Sequence, residues 1–131
     1  MNKIYITQYD IDRLNKLLSK RKPHDEYDKA LIEELARAEI IDPQTTPSDI
    51  VTMNSIVKFK DKNGDSHEYS LVFPEDADLT KNKISVLSPV GSSLIGYKIG
   101  SSINIPTPKG PKLLTVEEII YQPERSGDFD L

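Results

Sequence analysis

The spacing of apolar residues divides the chain into two parts. Up to about residue 41, apolar residues recur every three or four positions, as on one face of an amphipathic helix. These residues are Ile11, Leu14, Leu17, Leu18, Tyr27, Leu31, Leu35 and Ala38. The pattern predicts two helices in this part of the chain, with Pro23 between them.

The connection between the two predicted helices is short, and this favours an antiparallel helical hairpin, in effect a short coiled coil. Thr7 or Asp10 is a suitable N-terminal cap for the first helix. Residues 20–22 are cations, which suit the C-terminal end of that helix. We assign Asp25 and Glu26, at the start of the second helix, to capping and solvation. Helices of roughly 12 to 16 residues would give a hairpin on the order of 20 Å long.

Residues 42–49, DPQTTPSD, have the composition of a linker. We therefore divide the chain into a helical hairpin at 1–42, a linker at 43–50 and a second domain at 51–131. In that domain the apolar period changes to two, which is typical of strands. The pattern predicts strands at 55–61, 66–73, 84–87, 102–105 and 112–121.

Two further signals complete the predicted fold. Asn63-Gly64 lies between the first two strands and is typical of a tight hairpin. Pro89 is placed to begin a short helix through Ile95, and Gly96 is placed to end it. The predicted class is α+β, with a helical hairpin followed by a small antiparallel sheet that carries one short helix.

Composition excludes several function classes. The chain has 131 residues, a formal net charge of −4 and no cysteine. An acidic chain is a poor duplex DNA binder, and without cysteine there is no disulfide or thiolate metal site. The N-terminus has no apolar signal region, and no apolar run approaches membrane-spanning length. We therefore expect a cytoplasmic protein that has no membrane partner.

The sequence offers little catalytic chemistry. His24 and His67 are the only histidines, and their spacing indicates neither a metal site nor a nucleophile–base pair. We expect His67 to be an exposed strand residue. The glycines at 91, 96 and 100 lack the Lys-Ser/Thr that follows a phosphate loop. We predict no cofactor, no metal and no enzymatic activity, and favour a binding module.

Several segments resemble one protein family. Residues 84–103, ISVLSPVGSSLIGYKIGSSI, resemble the C-terminal domain of the Gre transcript-cleavage factors, although Ser101 stands where that family has Asp. Over nearly its whole length the chain resembles the regulator of nucleoside diphosphate kinase (Rnk) family, a bacterial relative of the Gre factors. The segments that carry this resemblance are 49–59 (DIVTMNSIVKF), 71–78 (LVFPEDAD) and 117–131 (EEIIYQPERSGDFDL).

The resemblance implies a fold and a partner. It implies an FKBP-like half-barrel that docks on RNA polymerase at the rim of the secondary channel, with any DNA contact only indirect. It assigns the contact surface to Ser88, Pro89, Val90 and Gly91. Three further apolar residues of the same segment are expected in the core, namely Val86, Leu94 and Ile95.

The length of the predicted hairpin determines whether the resemblance implies stimulation of transcript cleavage. Gre factors have a much longer coiled coil, whose acidic tip helps to hold a catalytic metal at the polymerase active centre. Asp25 and Glu26 follow three cations, and the predicted hairpin is too short to bring them there. We therefore expect a transcription regulator that competes with Gre factors without stimulating transcript cleavage.

Two alternatives come from other function classes. The family name suggests direct binding to nucleoside diphosphate kinase, although its effect could equally act through transcription. The other alternative is a prolyl isomerase, because those enzymes share the half-barrel fold. Shared fold is weak support for activity, and a chain with three Phe and no Trp has few aromatic residues to line an isomerase pocket.

Overall fold

The N-terminal part of the chain is a strand–helix–helix–strand unit. It is seen in a computed structural model that describes residues 4–21, 24–105, 110–128 and 131. The unit comprises β1 (Tyr5–Thr7), α1 (Gln8–Ser19), α2 (Glu26–Arg37) and β2 (Glu39–Ile41). β1 and β2 pair in parallel as a two-stranded sheet. The sequence did not predict this sheet, because three-residue strands are too short to show a period of two.

Side-chain caps explain where both helices begin. The Thr7 hydroxyl accepts a hydrogen bond from the Asp10 backbone N–H at 3.0 Å, which selects Thr7 of the two predicted caps. Asp25 caps α2 by accepting from the Asp28 N–H at 2.7 Å, within a reciprocal capping box. Each helix has 12 residues, which corresponds to a length of about 18 Å. None of the helices in the described part of the chain combines the length and the apolar character that spanning a membrane requires.

The second part of the chain is a curled five-stranded half-barrel sheet with the order β5-β4-β3-β7-β6. Its strands are β3 (Ile56–Asp61), β4 (Ser66–Val72), β5 (Lys83–Ser85), β6 (Ser102–Ile105) and β7 (Lys112–Tyr121). Two short helices accompany the sheet, α3 (Pro89–Leu94) and α4 (Pro123–Ser126). The mixed α+β class is thus as predicted, whereas the likeness to FKBP and the antiparallel packing of α1 against α2 stay predictions.

The sheet is mixed, so the prediction of a fully antiparallel sheet was wrong. β3–β4, β3–β7 and β6–β7 are antiparallel, but β5 runs parallel to β4, with Leu71 opposite Ile84. The cause is the long connection after β4, which includes short 3-10 turns at Pro74–Asp76 and Leu79–Lys81. It carries the chain back along β4 before β5 begins, whereas an antiparallel neighbour needs only a tight turn.

One glycine allows the N-terminal unit to lie directly on the sheet domain. Tyr5 donates its backbone N–H to the Gly96 carbonyl at 3.1 Å. A Cβ added to Gly96 would lie 2.9 Å from the Ile4 Cβ, and the φ angle of Gly96 is +82°. Both observations require glycine at this position. Buried side chains from both parts form one core cluster, and the division at residues 43–50 remains a prediction.

Candidate partner-binding site

The predicted contact residues, Ser88 to Gly91, form the turn from β5 into α3; we call them the Ser-Pro segment. Ser88 is the N-cap of α3, and its hydroxyl accepts the Gly91 N–H at 3.0 Å. The same hydroxyl donates to the Ser85 carbonyl at 2.7 Å, and the Ser88 N–H donates to that carbonyl at 3.0 Å. Pro89 is the first residue of the helix, where its missing N–H costs no hydrogen bond.

Gly91 brings the first turn of α3 against the end of β5. A Cβ added at Gly91 would lie 2.0 Å from the Ser85 carbonyl oxygen and 2.8 Å from its carbonyl carbon. No side chain fits at such distances. The direction of α3, and hence the shape of the Ser-Pro segment, depends on the absence of a side chain at residue 91.

The Ser-Pro segment is only partly accessible. Ser88 and Val90 are half-buried and Gly91 is buried, while the Pro89 side chain lies outside the described part of the structure. Each of the three expected core residues retains 1% exposure or less, which confirms that prediction for Val86, Leu94 and Ile95. Whether the segment contacts a partner stays a prediction.

Nothing in the segment indicates catalysis. The Ser88 hydroxyl is committed to two hydrogen bonds, so it is not poised as a nucleophile. In residues 4–21, 24–105, 110–128 and 131, no group of three or more His, Asp or Glu residues could hold a metal ion. The segment offers a rigid shape with uncharged side chains, which is suited to a protein contact.

A buried carboxylate joins the N-terminal helix to the sheet domain. Asp10 is 1% exposed, and it accepts hydrogen bonds from the Met53 N–H at 3.1 Å and from Arg13 at 2.6 Å. Burial raises the pKa of Asp10, and the Met53 and Arg13 contacts oppose this shift only in part. The sequence identified Asp10 only as a possible cap, since its true partner lies 43 positions away.

A second polar group ties the C-terminal end to the residues before β3. The Gln122 side chain donates to the carbonyls of Pro47 at 2.9 Å and Ile50 at 2.7 Å. Next to it, the Thr52 hydroxyl donates to the Glu124 carboxylate at 2.7 Å. Burial raises the pKa of Glu124, and the hydrogen bond from Thr52 opposes that shift. These contacts fix the predicted linker onto the sheet domain.

The acidic residues at the start of α2 cap the helix, pair with Arg21 or face solvent. The Asp25 carboxylate caps α2, and Arg21 bridges the Asp28 carboxylate at 3.1 Å and that of Asp25 at 3.9 Å. Glu26 is exposed and begins α2. The assignment of Asp25 to helix capping is confirmed.

The histidine in β4 belongs to the β3–β4 hairpin. His67 is half-buried rather than exposed, because its ring stacks on Phe59 at a centroid distance of 5.5 Å. Its Nε2 lies 3.0 Å from the Asp61 carboxylate, and this contact is the main reason that the pKa of Asp61 is lowered. The Asp61 carboxylate also accepts the N–H groups of Asn63 and Asp65, at 2.9 and 3.1 Å.

The sequence analysis did not predict one surface, which lies beside α1. The Arg13 guanidinium lies 3.9 Å from the centre of the Tyr9 ring and 4.6 Å from that of Phe73. Together with Lys16 and Lys20, Arg13 lines a groove beside α1. The spacing of three and four between these cations was a usable signal, since it places them on one helix face.

Comparison with protein families accounts for both parts of the chain. The model described as "Rnk N-terminus" matches residues 2–41, and that described as "Transcription elongation factor, GreA/GreB, C-term" matches residues 46–121. The "Regulator of nucleoside diphosphate kinase" of Escherichia coli K12 is 41% identical over 102 residues, which cover 76% of this chain and 75% of that protein. The chain belongs to the Rnk family.

This Rnk family member is also similar to GreA/GreB factors in sequence and fold. GreA of Syntrophotalea carbinolica is 38% identical over 94 residues, which cover 71% of this chain and 60% of that protein. A solved structure, "Prokaryotic transcription elongation factor GreA/GreB from Nitrosomonas europaea", is 38% identical, with a TM-score of 0.79 over 92% of this chain and all of that one. Gfh1 of Thermus thermophilus, at 23% identity, shares the fold with a TM-score of 0.51 over 92% of this chain and all of that one.

Proposed function

We propose that this Rnk family member docks on RNA polymerase at the secondary channel, as Gre factors do, and does not stimulate transcript cleavage. The proposal assigns docking to residues 51–131, with the Ser-Pro segment as contact surface, and treats residues 1–42 as a short arm joined by residues 43–50. It describes a regulator that acts by occupying a site, without enzymatic chemistry of its own.

The similarity to the Nitrosomonas GreA/GreB structure carries the docking half of the proposal. That similarity extends over 92% of the chain, so it includes the half-barrel and most of the helical arm. The local geometry is consistent with a preformed contact surface. Ser88 and Gly91 fix the start of α3 through hydrogen bonds and close packing, so little conformational entropy is lost on binding.

The short arm supports the absence of cleavage stimulation. Two helices of 12 residues reach about 18 Å, and the acids where α2 begins, Asp25 and Glu26, cap the helix or face solvent. Metal-assisted hydrolysis needs ligands within about 2.0 to 2.6 Å of the ion. An arm that ends even one helical turn short of the active centre cannot place a carboxylate there.

A pull-down of core RNA polymerase tests the docking half directly. We expect the protein to be retained by polymerase and to be displaced by an excess of a Gre factor. Pro89→Asn should weaken retention, because it removes the ring that presets the φ angle of the segment. Pro111→Asn, at an exposed proline after β6, is the matched control. Unchanged retention of a folded Pro89→Asn variant would remove the Ser-Pro segment from the contact surface.

A backtracked elongation complex tests the second half. The protein alone should produce no transcript cleavage, and in excess it should slow the cleavage that a Gre factor stimulates. Asp25→Ala and Glu26→Ala should leave both results unchanged. Cleavage by the wild-type protein that disappears in Asp25→Ala would show that the arm does reach the active centre, and the proposed mechanism would fail.

Direct binding to nucleoside diphosphate kinase is the second candidate, and the 41% identity to the Escherichia coli regulator supports it. Titration with purified components distinguishes the two candidate functions. Saturable binding to the purified kinase, together with no retention by polymerase, would favour this candidate over the docking proposal.

A further inference from the structure

A groove runs along α1 on the side that faces the segment after β4; we call it the α1 groove. Arg13, Lys16, Leu17 and Lys20 line the groove from α1, and residues 73–75 line it from the segment after β4. Its volume is about 420 Å³, within the range of ligand-binding clefts. The Ser-Pro segment instead leads into α3, which packs against α2. The α1 groove is therefore a separate surface from the one assigned to polymerase docking.

The α1 groove carries positive side chains on a protein whose net charge is −4. Lys16 and Lys20 are exposed, and neither forms an ion pair with any residue in the part of the chain that the structure describes. Arg13 is partly neutralised by Asp10, so most of the available charge belongs to the two lysines. Glu75, in the segment after β4, is exposed.

The floor of the α1 groove is apolar. Leu17, Phe73 and Pro74 are each half-buried, so they leave apolar surface in contact with solvent. The Phe73 ring is held in place because the Arg13 guanidinium stacks 4.6 Å from its centre. A groove that combines such a floor with two cations fits a ligand with an apolar side chain flanked by negative charges.

We propose that the α1 groove binds an acidic segment of a partner protein, with one large apolar side chain seated between Leu17 and Phe73 and with carboxylates facing Lys16 and Lys20. Charge complementarity selects this ligand. A nucleic acid fits less well, because contacts between its phosphates and the two lysines would leave the apolar floor unused. The inference does not depend on polymerase docking.

The test uses the full-length protein and a short synthetic peptide of Asp and Glu residues with a central Leu-Phe pair. Binding is measured by fluorescence anisotropy at low and at high salt. The wild-type protein should bind the peptide, and salt should weaken the complex. The double variant Lys16→Glu/Lys20→Glu should bind roughly tenfold more weakly, since two attractive pairs become repulsive. Replacement of Leu-Phe in the peptide by Ser-Ser should also weaken binding.

The matched control is the double variant Lys62→Glu/Lys112→Glu. It changes the net charge by the same amount, and both lysines are exposed near the end of the sheet opposite Phe73. β4 separates Lys62 from Phe73 by about 20 Å. Affinity in the control should stay within about twofold of wild type.

Three results would overturn the proposal. One is the absence of peptide binding to the folded wild-type protein. Another is an equal loss in both double variants, which would mean that only net charge matters. The third is tighter binding of a single-stranded RNA of equal charge that is lost in Lys16→Glu/Lys20→Glu, which would assign the α1 groove to nucleic acid.

Discussion

Replacement of Gly91 by Ala separates two opposing effects on the stability of α3. Gly91 lies inside the helix and does not have a positive φ angle. Helix propensity alone therefore predicts that Ala stabilises the protein by about 1 kcal/mol. The close approach to Ser85 predicts the opposite.

The structure indicates which effect dominates. The added Cβ would lie 2.0 Å from the Ser85 carbonyl oxygen, roughly 1.5 Å closer than the ~3.5 Å of a normal contact. The carbonyl cannot move freely, because it accepts two hydrogen bonds from Ser88, each contributing about 1 kcal/mol. Overpacking strain of about 3 kcal/mol, less the propensity gain, leaves a net loss of about 2 kcal/mol or more.

Urea unfolding followed by circular dichroism measures this change in the free energy of unfolding. Gly100→Ala is the control, because Gly100 has a φ of +91° and open space around its Cβ position. In this variant, backbone strain alone should lower the free energy of unfolding, by about 1 to 2 kcal/mol. Gly91→Ala should also weaken retention by polymerase at temperatures where the variant remains folded. A Gly91→Ala protein as stable as wild type would refute the argument that packing against Ser85 fixes α3.

Three further predictions concern stability. Burial raises the folded-state pKa of Asp10 above 3.8 and that of Glu124 above 4.5. The folded protein therefore binds protons at these two groups more tightly than the unfolded chain does. The free energy of unfolding should accordingly rise as the pH falls from neutral towards 4.5. Chemical unfolding at a series of pH values should show this rise reduced in Glu124→Gln. Gln122→Ala should lower the unfolding free energy by about 2 kcal/mol, as measured in urea, through loss of one buried and one partly buried hydrogen bond. No change would show that the predicted linker is held by other contacts. Leu14→Asp and Leu35→Asp should each lower the melting temperature strongly, because each buries a charge in the core; unchanged melting of both would contradict the packing of α1 and α2.

Local signals in the sequence were enough to predict much of the fold. The strands at 102–105 and 112–121 have the predicted bounds, because the apolar period of two defines them. Gly64, in the predicted Asn-Gly turn, adopts a φ of +84°. The start of α3 at Pro89 and its end before Gly96 likewise follow from residues adjacent in sequence.

The features that escaped prediction depend on distant parts of the chain. The parallel pairing of β1 with β2 joins residues more than thirty positions apart, such as Tyr5 and Glu39. The buried position of Asp10 depends on Met53, and the need for glycine at 91 depends on where β5 ends. Local propensity contains no information about such contacts, so the rigid shape of the Ser-Pro segment could not be derived from its sequence alone.

The parallel pairing of β1 with β2 has a consequence for how the arm can evolve. Both ends of the two-helix segment are joined at one place, so the segment is an insertion whose entry and exit points are fixed. With α1 and α2 packed antiparallel, as the sequence predicts, added residues in α1 that are matched by residues in α2 would extend the arm at its far end and leave the joint unchanged. Within such an architecture, the length of the two helices can vary between relatives independently of the sheet domain. A chimaeric protein with lengthened helices on this base should therefore fold with an unaltered sheet domain.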